Sequence, residues 1–182
     1  MKKLTAAWFL ALCLACFAGT AAAADVVITS VGQTSDGMMA KMLMKKLNVE
    51  PEYAALLDPA ALDGQKVLIA VVGGSSKGLG AAGIDREQEK ARGVTLLEEA
   101  KKKGIKVLVM HIGGERRRGD LTDMFIEAVT GLGDKVIVVK SGNADGIFSK
   151  SKAADAELVE VDTVQATVEP LKAAFAAWGV EK

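Results

Sequence analysis

The chain has 182 residues, with 23 basic and 23 acidic side chains and a single histidine, for a formal net charge of zero. That balance argues against nucleic acid or an anionic membrane surface as the main partner, because both depend on a basic face. One histidine and two cysteines leave little material for a zinc site or a disulfide framework.

The N-terminus has the pattern of an export signal. Lys2 and Lys3 open it, Leu4 to Phe17 is an apolar run broken by Thr5, and Ala22-Ala23-Ala24 offers a small-residue cleavage site before Asp25. The run is short for a membrane span, which takes about 20 residues. Cleavage would leave 158 residues, 21 basic against 23 acidic side chains, and no cysteine, since Cys13 and Cys16 both precede the cut. Thiolate nucleophiles and cysteine metal sites are then excluded. Lipidation at Cys16 is the minor alternative; Ala15 suits it, but Cys13 stands where such signals usually carry leucine. A periplasmic or secreted location is expected, with residues 25–182 as one domain.

Val26 to Val31 is a β-branched run and a first strand. Ser35 or Asp36 can cap the next helix, on which Met39, Met42, Leu43 and Leu47 share the expected core face, with Lys45 and Lys46 at its C-terminal end. A weak strand falls near Glu52 to Leu56, and Asp58-Pro59 turns the chain. Lys66 to Val72 has no polar face and predicts a central strand covered on both sides. Asp85 with Gln88 resembles a capping box for a helix that Gly104 ends, with Glu98–Lys102 and Glu99–Lys103 as i,i+4 pairs. Val107 to Met110 is the next strand. The helix from Asp120 carries Leu121, Met124, Phe125, Ala128 and Val129 on one stripe. Val136 to Val139 is a buried strand, followed by a short helix over Ile147 to Ala154, an edge strand Leu158 to Val161 and a last helix with Val168, Leu171, Phe175 and Trp178. Strands alternating with helices predict a three-layer α/β/α sandwich with a mostly parallel five- or six-stranded sheet, Rossmann-like or flavodoxin-like.

In such a sheet, ligands sit beyond the carboxyl ends of the strands. Four loops emerge there. They bring Thr29, Ser30, Gln33 and Ser35; then the glycine-rich run from Gly73 and Gly74 through Ser75, Ser76, Lys77 and Gly78 to Gly83; then His111, Glu115 and Arg116 to Arg118; then Ser141, Asn143 and Asp145. Turns at the opposite edge, such as Gly104-Ile105-Lys106, are short and plain. This asymmetry locates a ligand site. Successive N–H groups of the glycine run would form an anion-binding nest, with Lys77 and Arg116 adding charge. The competing view of the arginine triplet is a solvated turn neutralised by Glu115 and Asp120.

Sharper motifs fail on context. Gly78 to Gly83 fits G-x-G-x-x-G, but lies too far past its strand and lacks the acidic residue that holds a ribose. Gly74 to Gly78 fits G-x-S-x-G, yet the capped helix is expected only near Asp85, and His111 precedes Asp120. A Walker A loop is absent. Metal sites look poor; Met38, Met39, Met42 and Met44 were the one soft-metal grouping, and helical spacing turns Met39 and Met42 toward the core.

The segments Val72 to Ile84, Met110 to Gly119 and Lys140 to Gly146 are similar to an uncharacterised family of exported bacterial proteins, a domain of unknown function. The resemblance covers most of the chain after the signal, implies a bacterial, exported origin, and supplies no activity or catalytic residue. Three functions follow as expectations, none with a cofactor. The first is a binder of a small polar or anionic ligand using Thr29, Gln33, Gly73 to Gly78, His111, Glu115, Arg116 and Asn143; a transport role would need a membrane partner. The second is a hydrolase using Ser75 or Ser76 with His111. The third is a protein–protein interaction module.

Overall fold

The computed structural model describes residues 24–180. The apolar run Leu4 to Phe17, with Cys13 and Cys16, lies outside the described residues. One sheet contains β1 (Val26–Val31), β2 (Glu52–Tyr53), β3 (Val67–Val72), β4 (Lys106–His111), β5 (Lys135–Val139) and β6 (Glu157–Val161). Their order is β2-β1-β3-β4-β5-β6, and every neighbouring pair is parallel. Among the described residues the α-helices are α1 (Asp36–Met44), α2 (Ser76–Ala82), α3 (Arg86–Lys102), α4 (Asp120–Val129) and α5 (Ile147–Ser151) between strands, and α6 (Val168–Ala177) after the last one. The fold is α/β, as the alternation predicts.

Side chains alternate between two cores. Leu68, Ala70 and Val72 of β3 face Leu79, Leu96, Phe125 and Phe148 from α2, α3, α4 and α5. Val67, Ile69 and Val71 face Leu43 and Met44 of α1 and Leu171 and Phe175 of α6. Burial on both sides explains why β3 has no polar position; each such side chain contributes about 1.5–3 kcal/mol. After β1 the chain steps outward to β2, and after β3 it steps the other way to β4. The switch point of the sheet is therefore between β1 and β3, and the crevice it opens lies at their carboxyl ends.

Two local expectations are corrected. The glycine run is not a long loop: α2 begins at Ser76, with only three residues between it and β3, and ends on Gly83 in the left-handed region. Ser75 starts it, its Oγ accepting the Gly78 N–H at 3.0 Å. Gly78 and Gly80 disfavour a helix on propensity, but Gly78 is there for close approach, since a Cβ would stand 2.2 Å from the Gln33 carbonyl oxygen. The second correction concerns α1. Met39 and Met42 are 44% and 66% exposed, and Met38 is open too. The buried face is Asp36, Gly37, Ala40, Leu43 and Met44. Gly37 sets this rotation: a Cβ there would meet Ser30 Oγ at 2.6 Å and Tyr53 Cε2 at 2.8 Å. Small residues let the helix lie close to the sheet, and the larger methionines are left outside. The capping box of Asp85 and Gln88 forms as expected. Shorter than expected are β2, with two residues, and α5, which stops at Ser151.

Candidate functional site

The switch-point crevice is filled by its own backbone. Gly73 N–H donates to the Val31 carbonyl and Ser75 N–H to the Gly32 carbonyl, at 2.9 and 2.8 Å. Gln33 bridges to Gly74. Below this seam lies an ion pair that the sequence reading missed. Glu89, fully buried, accepts from Gly32 N–H at 2.9 Å, Gln33 Nε2 at 3.0 Å and Arg92 Nη2 at 2.8 Å with one oxygen, and from Arg92 Nε at 2.7 Å with the other. Arg92 also donates to the carbonyls of Ser30 and Leu57. Every polar atom here has a partner, which marks the network as a fastening for the β1 loop. Gln33, held at φ 56°, belongs to it. Thr29 is buried with its hydroxyl donating to the Ala55 carbonyl.

Several other expected ligand groups are likewise occupied. Gly74 N–H donates to Thr122 Oγ1 at 2.9 Å. With Gly73, Ser75 and Gly78 also engaged, those four N–H groups do not form an open nest. His111 is buried against Phe148, ring centroids 5.5 Å apart, with Nδ1 2.9 Å from the Val72 carbonyl and Nε2 3.2 Å from that of Gly114. Asn143 is buried too: its Oδ1 accepts the Phe148 N–H, and its Nδ2 donates to Ser149 and Glu160. Glu115 is exposed, its N–H directed to Ser141 Oγ at 3.4 Å.

The arginine triplet splits three ways. Arg118 grips Asp123 through Nε and Nη2 at 2.6 and 3.0 Å and Asp145 through Nη1 and Nη2 at 3.1 and 2.8 Å, tying the β4 loop to the β5 loop. Hydrogen bonds from Arg118 hold both carboxyls below the usual aspartate range, and the Ile147 N–H adds to the effect at Asp145. Arg117 reaches back to α1, its Nη2 3.7 Å from Asp36 Oδ1 and 3.4 Å from Ser35 Oγ. Arg116 is exposed. The expected neutralising partners, Glu115 and Asp120, are not the ones used: Asp123, Asp145 and Asp36 take those places.

Open space remains on the α2–α4 side. Gly74, Ser76, Arg116, Arg117, Arg118 and the first turn of α4 line a hollow of ≈ 310 Å³. A second hollow of ≈ 620 Å³ shares Ser76, Asp120 and Leu121 with it and extends over Leu79, Ile84 and Met124 to a rim of Arg86 and Glu87. The structure thus brings Ser76 and Arg116 to one surface, where the α4 N–H groups lack intrahelical partners. It leaves Thr29, His111 and Asn143 inside and Gln33 half-buried and hydrogen-bonded to Glu89 and the Ala55 carbonyl. Among the described residues no cluster of histidine, cysteine, aspartate or glutamate could hold a metal ion.

Residues 23–175 match the family model described as Domain of unknown function (DUF6305). The chain belongs to this family. No curated protein matches it. Among solved structures, AlinE4, an SGNH-hydrolase family esterase, is similar at 12% identity and a TM-score of 0.32, over 85% of this chain and 94% of that one. A mutant of AlinE4 gives 13% identity and the same TM-score and coverage. At that TM-score the likeness carries no argument about the DUF6305 chain. Among the described residues no helix is long and apolar enough to cross a membrane.

Of the residues lining the larger hollow, Leu121 and Met124 are legible in sequence only as core stripe, and Leu79 and Ile84 only as part of the glycine-rich run. Sequence spacing predicts Asp36 only as a helix cap. Its burial could not be foreseen from spacing, because Gly37 and not the methionine stripe decides how α1 is turned.

Proposed function

We propose that the protein binds a small anionic ligand at the carboxyl edge of its sheet and does not change it chemically. Arg116 carries this reading: its exposed guanidinium lines the same hollow as Ser76, beside Arg118, which is clamped by two aspartates, and Arg117, which faces Asp36 at 3.7 Å. A planar guanidinium suits a carboxylate or phosphate. Lys77, exposed on the first turn of α2, adds positive charge nearby. The export pattern of Lys2, Lys3, the apolar run and Ala22 to Ala24 supports placing this binder outside the cytoplasm.

Thermal-shift measurement against phosphate, sulfate and small carboxylates tests the reading. A ligand at about 100 times its Kd stabilises by roughly 2.7 kcal/mol, or about 5–10 °C in Tm at this size. Arg116→Ala should abolish the shift and leave the unliganded Tm in place. Equal shifts in both proteins, or none in the wild type, would refute it.

The hydrolase alternative keeps an exposed Ser76 but finds His111 with both ring nitrogens against main-chain carbonyls. The interaction-module alternative draws support from Met38, Met39 and Met42, open on one helix.

A further inference from the structure

Among the arginine–carboxylate contacts at this edge, Asp36 differs from Glu89 and Asp123. Glu89 receives four hydrogen bonds spread over both oxygens. Asp123 is gripped by Arg118 through both oxygens. Asp36 is different: it is only 3% exposed, its Oδ1 lies 3.7 Å from Arg117, and its Oδ2 has no partner. A buried carboxylate oxygen without a donor is costly, and native proteins rarely keep one without a use for it.

The surroundings are arranged to leave Asp36 where it is. A Cβ at Gly113 would stand 2.7 Å from Asp36 Oδ2 and 2.1 Å from Arg117 Cγ, so glycine is required for both side chains to occupy this place. Thr34 Oγ1 accepts the Asp36 N–H at 3.3 Å, and Ser35 presents an exposed hydroxyl beside Arg117. Arg117 is 48% exposed along its side chain and therefore free to turn outward. A ligand carboxylate would draw it out, because guanidinium–carboxylate pairing is the stronger contact when bidentate. Asp36 would then lose the cation that faces it. An uncompensated buried charge is not tolerated. The same ligand must therefore bring a cation of its own.

The geometry points to an α-amino acid site at the head of α1: the ligand carboxylate pairs with Arg117 and Ser35, and its ammonium donates to Asp36 Oδ2. This inference rests on the reading of the carboxyl edge as a ligand site and places a zwitterion on the α1 side of it, across Arg117, which also lines the Arg116 hollow.

The test is a calorimetric and thermal-shift panel of the full chain with the common L-amino acids, with acetate, lactate and methylamine as partial probes, and with inorganic phosphate. At least one amino acid should bind and raise Tm, while the three partial probes should not at equal concentration. Asp36→Asn should weaken that binding about ten- to a hundredfold, the value of a hydrogen bond to a charged group. Arg117→Gln, changed at a half-exposed position, should do the same and serves if Asp36→Asn does not fold. No response to any amino acid, an equal response to lactate or acetate, or undiminished binding in the folded variants would overturn the inference. Phosphate cannot satisfy Asp36, and its shift should vanish in Arg116→Ala, whereas amino-acid binding through Arg117 and Asp36 should survive that change. A phosphate shift without an amino-acid shift therefore sinks this site and spares the hollow; the reverse pattern does the opposite.

Discussion

Replacing Arg92 by methionine should remove a large part of the stability of this fold. The guanidinium is 14% exposed and supplies two of the four hydrogen bonds to Glu89, which is sealed from solvent. Without it, Glu89 keeps only the neutral donors Gly32 N–H and Gln33 Nε2. The carbonyls of Ser30 and Leu57 lose their donor as well. Breaking a buried pair from one side costs about 3–5 kcal/mol. A domain of this kind holds roughly 5–15 kcal/mol in total. With a urea m-value of about 2 kcal/mol/M, the unfolding midpoint should fall by about 2 M. The double variant Glu89→Gln with Arg92→Met should recover about 2 kcal/mol, because the amide oxygen still accepts from Gly32 and Gln33 and no bare charge remains. A single variant costing less than about 1 kcal/mol, or a double no better than the single, would show that the pair is hydrated and does not fasten the β1 loop.

On α1, Met42→Ala should change stability by no more than about 0.5 kcal/mol, whereas Leu43→Ala should cost about 2–5 kcal/mol; reversed costs in urea titrations would return the methionines to the core. The Arg118 clamp predicts an acid limb. Asp123 and Asp145 have carboxyls held down in the folded chain, so their contribution is complete above the unfolded aspartate value of about 3.9 and is lost as pH falls below it toward the lower folded values. Arg118→Met should therefore flatten the fall of the urea midpoint between about pH 4 and pH 2, and an unchanged slope would contradict the clamp.

Much of the architecture was legible because β1, β3, β4 and β5 are runs that no surface element would carry, and because Asp85 and Gln88 announce α3. The missed helix α2 shows where such reading stops. Its glycines lower helix propensity, yet Gly78 answers to the Gln33 carbonyl, a group far away in sequence. The rotation of α1 was hidden for a similar reason: hydrophobicity favours the methionines, while Gly37 and Ala40 win by letting the backbone approach Tyr53. At the site, the position of the loops was foreseen and the state of their side chains was not. Arg116, Arg117 and Arg118 are alike in sequence, and only the placement of Asp36, Asp123 and Asp145 separates the exposed Arg116 and the loosely faced Arg117 from the clamped Arg118. His111 and Asn143 were attractive as polar groups at strand ends, but polar groups there also serve to satisfy carbonyls and N–H groups under the loops.

The outermost strands limit how this sheet can grow. On one flank β2 offers a stub of two residues, enough for only a bond or two with a newcomer. On the other, β6 exposes Glu157 and Glu160, the first paired with Lys135 and the second accepting from Asn143, and charged side chains on an outer strand discourage a twin from lying alongside. Lateral stacking into fibrils is discouraged from both directions by means that leave the centre of the molecule untouched.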